Sequence, residues 1–401
     1  MDYYYEKFEF GGAKIICEER KYPLISILVA SKYGSAFESE RDKGIAHFIE
    51  HMLFKGTKKR TSFDISSSIE KVGGELNGFT LDFLTAYHVT IPKKHFELGC
   101  EILCDMISNP KFDERELEKE KNVVLEEYKR QKDTPNVYVI RKVKEALYKK
   151  PFSLPRIGNE KTIKSFNKIK VLSGFSFYSL NNLIFCIVGS IDPNEAYEII
   201  IRKIKENNLD KKKRKTLKSP FIIKENRNFV EKRRDLAQAH LGIGFHVPSA
   251  DSKERYVPEI INCILGEGMS SKLFQEIREK RALAYTAHSH LHQEKGYGFI
   301  SAYVGTSKEK LKEAKEASIQ EIKKLRNITK KEFEEAQENL IGGYVLDGEE
   351  AINVATNLAV EEIAGNFEEY YRYEEKIKEI KYEEVINYAK KINKISTVVL
   401  V

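Results

Sequence analysis

The chain has 401 residues, 41% hydrophobic and 32% charged, with 68 Lys and Arg against 61 Asp and Glu. That length suits two or three domains with sizeable cores, and the composition excludes a largely disordered chain. No apolar run reaches the roughly 18 residues that a membrane span needs, and the start MDYYYEKFEF has neither the basic nor the apolar region of a secretory signal. The expectation is a cytoplasmic protein with no membrane partner. Five cysteines (Cys17, Cys100, Cys104, Cys186 and Cys263) are widely spread with no C-x-x-C, so they read as buried thiols in a reducing compartment. Cys100 and Cys104 share a helical face, but no nearby Cys or His completes a metal set.

In chain order, residues 25–30 (ISILVA) form the first strand-like run. Residues 44–54 (GIAHFIEHMLF) follow as an amphipathic helix with an apolar stripe of Ile45, Phe48 and Met52. His47 and His51 are four apart, so both imidazoles leave one face, as two nitrogen ligands of one Zn²⁺ must. Glu50 lies beside them, where a carboxylate can reach a metal-held water without being a ligand. The order H-x-x-E-H inverts the commoner H-E-x-x-H. A helix with two unrelated histidines is the bland alternative, but the chain has only nine histidines and this spacing has a specific catalytic geometry.

Two histidines leave a zinc ion short of a third protein ligand. Strand-like 83–91 comes next, and then helix-like 112–130, which offers Glu120, Glu126 and Glu127. Seven residues on a helix return to within about 20° of one face. Glu120 and Glu127 therefore share a face, and Glu126 points elsewhere. Taken alone, Glu127 reads equally well as a solvated helix carboxylate.

Strand-like 183–188 (LIFCIV) closes this half. Residues 206–222 are polar and end at Ser219-Pro220, a candidate domain boundary. The basic excess is concentrated here: 202–235 holds 14 Lys and Arg against 5 Asp and Glu, centred on 211–215. With no interleaved aromatics and no nucleic-acid motif, it reads as a solvated connector, and no nucleic-acid partner is expected.

The second half repeats the first. Residues 239–245, 298–304 and 397–401 are strand-like runs in the same order as those at 25–30, 83–91 and 183–188. Residues 328–344 match 112–128 at a shift of 216, with Phe112 on Ile328, Leu117 on Phe333 and Tyr128 on Tyr344. At that shift Ala336 and Gly343 stand for Glu120 and Glu127, so the carboxylate pair is not needed to pack the second copy. A shift of 212 puts Glu259 and Cys263 opposite His47 and His51, so this half has no metal set. Gly266-Glu267-Gly268 lacks the ending of a phosphate loop and reads as a packing turn. His288, His290 and His292 alternate; one face of a strand is favoured over a second metal site. The repeat predicts two similar α+β domains, at 1–211 and 218–401, each a mainly antiparallel sheet with helices packed against it.

HFIEHMLFKGT at 47–57, followed by EKNVVLEEY at 120–128, resembles the pitrilysin-type zinc peptidases, the inverzincins that include insulysin and mitochondrial processing peptidase. The resemblance covers nearly the whole chain. GGELNGFT at 73–80 is similar to the family's substrate-binding edge strand, and ILG at 264–266 through IRE at 277–279 to its second-domain signature. It implies one zinc per chain held by His47, His51 and Glu127, with Glu50 as general base and Glu120 behind a ligand. It also implies a peptide held along Asn77, Gly78, Phe79 and Thr80, and an Arg and Tyr seven apart facing substrate, which Arg278 and Tyr285 fit. The family's long members carry four such domains, so two here imply a paired chamber that hydrolyses extended or unfolded peptides. The pair is expected to be a homodimer, with a heterodimer with a related subunit as the alternative. The rival reading is a non-catalytic partner subunit of such a complex. Gly78 replaces the Ala of many relatives, and 149–158 (KKPFSLPRIG) departs from the usual His-Pro-leucine-glycine region; both bear on substrate preference, not on the metal site.

Overall fold

The computed structural model describes residues 4–234 and 236–401. Residues 1–3, the start of the segment read for a secretory signal, and Asp235, the end of the basic stretch, lie outside the described residues. Strands β1 (Tyr4–Phe10) and β2 (Ala13–Glu19) are joined at Gly11-Gly12. Both glycines have positive φ, as a two-residue hairpin turn that matches strand twist requires. β3 (Leu24–Ser31), β4 (Glu75–Thr80), β5 (Thr85–Pro92) and β6 (Leu183–Gly189) complete a six-stranded sheet in the order β1-β2-β6-β3-β5-β4. Only β2 and β6 pair in parallel. β6 is buried throughout, as an apolar run of seven in a sheet's middle must be, whereas β4 is an edge strand.

The second sheet contains β7 (Phe229–Glu231), β8 (Ala239–His246), β9 (Ala284–Glu294), β10 (Tyr297–Thr306) and β11 (Ser396–Leu400), in the order β7-β11-β8-β10-β9. β7 and β11 are its parallel pair. This order repeats β2-β6-β3-β5-β4 strand for strand, so the two sheets are copies of one plan.

The helices repeat as well. α1 (Ile45–Leu53), α2 (Ser62–Glu70), α3 (Phe96–Ser108) and α4 (Glu114–Asp133) belong to the first half. The helix Val257–Gly266 starts 212 residues after α1, and Lys330–Asp347 starts 216 after α4. Helix α5 (Pro135–Leu147) and the helix Ala351–Ala364 are also 216 apart.

The chain divides into two compact units. One comprises residues 1–128, 154–221 and 347–371; the other comprises 129–153, 222–346 and 372–401. The expected halves, 1–211 and 218–401, differ from these units by an exchange. α5 joins the second sheet and Ala351–Ala364 joins the first. The crossing at 221/222 lies at the end of the polar connector. In the second unit, Val139, Val143 and Leu147 of α5 lie over Gly242 and Gly244 of β8. A Cβ at Gly244 would fall 2.2 Å from Val143 Cγ1, and one at Gly242 would fall 2.6 Å from Val139 Cγ1. Two glycines two residues apart on a strand thus clear the ground on which the helix rests.

In the first unit, α1 is placed by its own N-terminus. Gly44, at φ 96°, precedes the helix, and a Cβ there would meet Ile157 O at 2.4 Å. The buried Glu38 carboxylate accepts from Gly44 N at 2.9 Å and Ala46 N at 2.7 Å, satisfying donors that the helix start leaves open. Lys43, also buried, donates to Ser35 O at 2.7 Å and stands 3.6 Å from Glu38. Below this cap, Ile45, Phe48, Ile49 and Met52 enter the core. Among the described residues, no helix is long and apolar enough to cross a membrane, and all five cysteines are buried and free.

Two stability outcomes follow from this packing. Gly244→Ala forces a methyl into α5 and should destabilise the second unit by about 1–3 kcal/mol, read as a lower denaturant midpoint. At Glu38, burial pushes the carboxyl up to about 7, against the opposing pull of Lys43 and the two amides. A raised carboxyl contributes most stability while both states are protonated, and that contribution is lost as pH rises through about 7. Between its ordinary value and 7 the first unit should therefore weaken with rising pH, by at most about 1.4 kcal/mol per unit. Denaturation midpoints at pH 5 and pH 8 should differ less in Glu38→Gln than in the parent chain; an equal difference in both would count against this role for Glu38.

Candidate metal centre

α1 and α4 supply the centre. Asp113 caps α4, accepting from Arg115 N at 2.9 Å, and Leu117, Glu120 and Val124 are its buried stripe. Glu127 continues that stripe one heptad after Glu120, while Glu126 is exposed on another face. α1 turns His47 and His51 toward the same stripe, with ring centroids 4.6 Å apart and planes inclined at 55°. One oxygen of Glu127, Oε2, lies 3.6 Å from His47 Nε2 and 3.6 Å from His51 Nε2. These three residues are the one group of three or more metal-ligating side chains found among the described residues, with donor atoms all within 4.8 Å of one another.

That spacing fits zinc. Bonds of about 2.0–2.1 Å in a tetrahedron separate neighbouring ligand atoms by about 3.4 Å. Separations of 3.6 Å are too long for hydrogen bonds and close to that edge. The tautomer also fits: His51 Nδ1 lies 2.8 Å from Glu120 Oε1, so its N–H donates there and Nε2 keeps its lone pair for a metal. His47 Nδ1, by contrast, is buried with no hydrogen-bond partner among the described residues.

The electrostatics of the centre follow from burial and these contacts. Burial pulls His51 down, but the Glu120 and Glu127 carboxylates outweigh it and hold the imidazole up at about 9. Burial and the neighbouring His51 charge push His47 down to about 4. Burial acts to raise Glu120, yet hydrogen bonds from His51 and Lys55 leave it below the ordinary carboxylate range. Lys55 Nζ stands 2.7 Å from Glu120 Oε2, a partner absent from the sequence reading. Lys55 lies two residues past the end of α1, in the turn that follows it, so helical phase alone does not place it.

Glu50 is buried beside the histidines. Burial raises its carboxyl, partly offset by Thr80, whose hydroxyl donates to Glu50 Oε2 at 2.6 Å. Thr80 ends the edge strand β4, so the strand read as substrate-binding also touches the residue read as base. Asn77 is exposed, and its side chain accepts from Gly78 N at 2.8 Å. At Gly78 a Cβ would stand 3.2 Å from the ring of Phe54 and 3.1 Å from Ala86 O, a tight fit. Phe79 lies toward His88, with centroids 6.3 Å apart. Arg156, within the segment that departs from the family pattern, donates to Thr80 O at 3.3 Å.

Arg278 and Tyr285 belong to the second unit and are described within it. Arg278 sits in a π-helical segment, Phe274–Lys280, and Tyr285 is 78% exposed at the start of β9. The guanidinium lies 4.8 Å from the Tyr285 ring centroid and 4.6 Å from that of Phe274, so the two residues form one surface pair. The positions equivalent to the metal set carry other chemistry. Cys263 Sγ lies 3.9 Å from Ala336 O and 3.4 Å from Asn339 Oδ1, and Glu259 accepts from Tyr373. The Cys263–Ala336 contact takes the place of His51–Glu120, so the helix crossing is kept while its ligands are gone.

Residues 15–160 match the family model described as Insulinase (Peptidase family M16), and residues 175–340 match the one described as Peptidase M16 inactive domain. The chain is 30% identical to the uncharacterized zinc protease YmxG of Bacillus subtilis over 84% of this chain and 82% of that one. It is also 30% identical to an uncharacterized zinc protease of Rickettsia felis over 92% and 89%. In fold it is similar to a protease from Helicobacter pylori, with a TM-score of 0.92, 22% identity and all of both chains covered. A peptidase M16 inactive domain protein from Pseudomonas fluorescens gives a TM-score of 0.87 at 18% identity, covering 99% and 97%. The relatives, the two matched models and the duplicated sheet agree, and the chain belongs to the pitrilysin-type M16 peptidase family, in its short two-domain form.

Proposed function

We propose that the chain is a zinc-dependent endopeptidase that cleaves extended or unfolded peptides. The observation that carries this reading is the buried Glu50 carboxylate beside the His47–His51–Glu127 set, because a purely structural metal site has no use for a poised base. When bound by those three residues, zinc supplies Lewis acidity toward water and the peptide carbonyl. Glu50, with Oε2 held by Thr80, takes a proton at its other oxygen and returns it to the leaving amine; its raised carboxyl suits that exchange near neutral pH. Glu120 fixes the ring of His51. The edge of β4 holds substrate through its backbone, in the manner of an added strand. The match to an inactive-domain model covers residues 175–340, which contain none of the set, and leaves this reading intact. Five buried thiols support a reducing, cytoplasmic setting.

Glu50→Gln should keep zinc and lose peptide turnover by about 10²–10⁴-fold. His47→Ala, His51→Ala and Glu127→Ala should each lose zinc, and Glu126→Ala should keep it. Metal content by atomic absorption, with turnover of a quenched peptide, separates the cases. Normal turnover in Glu50→Gln would falsify the mechanism, whereas a zinc-loaded parent chain without turnover would favour the non-catalytic partner subunit.

The proposal extends to a homodimeric chamber in which Arg278 and Tyr285 serve the partner's centre by hydrogen-bonding the substrate carbonyl. The exposure of the pair and its mutual stacking support this role. The check is to mix Glu50→Gln chains with Arg278→Ala, Tyr285→Ala chains, each inactive alone. Mixed dimers should regain activity at the one interface where both parts are intact. No recovery after demonstrated subunit exchange would refute the shared centre.

A further inference from the structure

Five of the nine histidines lie on one face of the second sheet: His240 and His246 on β8, and His288, His290 and His292 on β9. Three of them are occupied. His240 Nδ1 meets Tyr303 Oη at 2.7 Å, His246 Nε2 meets Glu225 O at 2.9 Å, and His292 Nε2 meets Ser301 Oγ at 2.9 Å while its ring stacks on Phe299. His288 and His290 differ. Their rings contact one another and, for His288, the Tyr303 ring, but among the described residues neither has a hydrogen-bonded nitrogen.

Their geometry has a counterpart in the same chain. The His288 and His290 centroids are 4.8 Å apart with planes at 63°; those of His47 and His51 are 4.6 Å apart at 55°. One pair reaches this spacing by four residues of helix, the other by two residues of strand, since alternate side chains share a face. The alternation is pinned: Ser289, between the two, turns to the opposite face and bonds Asn262 Oδ1 at 2.8 Å. β9 is also the outer strand of its sheet, and His290 is exposed, so the pair opens to solvent. Burial and its neighbour hold His288 below the ordinary imidazole range, so it is neutral and able to ligate at pH 7.

We propose that His288 and His290 form a second metal site, a two-imidazole chelate for a late divalent transition ion. No third metal-ligating side chain joins them among the described residues. The ion therefore keeps open positions for water or an exogenous carboxylate or imidazole, and it exchanges more readily than one at the first centre. Imidazole pairs with open positions suit Cu²⁺ best in the divalent series, with Ni²⁺ and Zn²⁺ behind it.

The test uses the untagged full chain with its first centre loaded with zinc. Cu²⁺ is added and followed by calorimetry and by electron paramagnetic resonance. One further equivalent should bind, with hyperfine splitting from two nitrogens. His288→Ala and His290→Ala should each lose that equivalent while keeping zinc and an unchanged melting curve. His292→Ala should keep it, because that ring is committed to Ser301. A His47→Ala, His51→Ala chain should also still take one Cu²⁺, which separates this site from the first and its outcome from that of the peptidase reading. Cu²⁺ uptake unchanged in both His288→Ala and His290→Ala would overturn the proposal, as would equal loss in His292→Ala.

Discussion

The crossing of α1 and α4 is the contact on which the centre depends. Two helices far apart in sequence must present an imidazole pair and a carboxylate within a few ångströms, and the His51–Glu120 bond of 2.8 Å is where they are tied. Neither helix has freedom to drift. α1 is capped by a buried carboxylate and rooted in the core by Phe48, Ile49 and Met52, while α4 is seated by Leu117 and Val124. With both backbones fixed, one heptad along α4 carries the chain from the residue that orients His51 to the residue that faces both Nε2 atoms.

The second unit shows which parts of this arrangement belong to folding and which to chemistry. Its sheet has the same strand order, and its two corresponding helices still meet, at Cys263 and Ala336. A thiol and a backbone carbonyl fill the space of imidazole and carboxylate. The crossing therefore stands without the polar groups, and the carboxylates of the first unit are not there for packing. Burying several ionisable groups together is costly unless they are paired or hold a metal. Their presence in one copy and absence from the other is what a functional constraint on only one copy produces.

Much of this was legible in the sequence because it rests on periodicity. The four-residue step from His47 to His51 and the seven-residue step from Glu120 to Glu127 fix which side chains share a face, whatever the tertiary setting. The repeat of strand order was legible for the same reason. The exchange of α5 and Ala351–Ala364 between the sheets was not. An apolar stripe on a helix says that one face is buried, but not which sheet buries it. Gly242 and Gly244 were the nearest signal, and a glycine in a strand announces a close approach without naming the partner. The Glu38–Lys43 cap was hidden for another reason: two charges five residues apart in a loop read as solvated, and only the folded chain brings them inside.

The two histidines of the centre are held by different means. Glu120 is fixed at both oxygens, by His51 on Oε1 and by Lys55 on Oε2, so the plane of the carboxylate and with it the plane of the imidazole are set by bonds. Lys55 also offsets part of the negative charge that would otherwise keep a proton on His51 and compete with a metal. His47 has no such anchor on Nδ1 and is oriented by packing within α1. The bonded reference of the centre is the Lys55–Glu120–His51 chain. The two imidazoles thus differ in what holds them: His51 by a carboxylate bonded at both of its oxygens, His47 by shape alone.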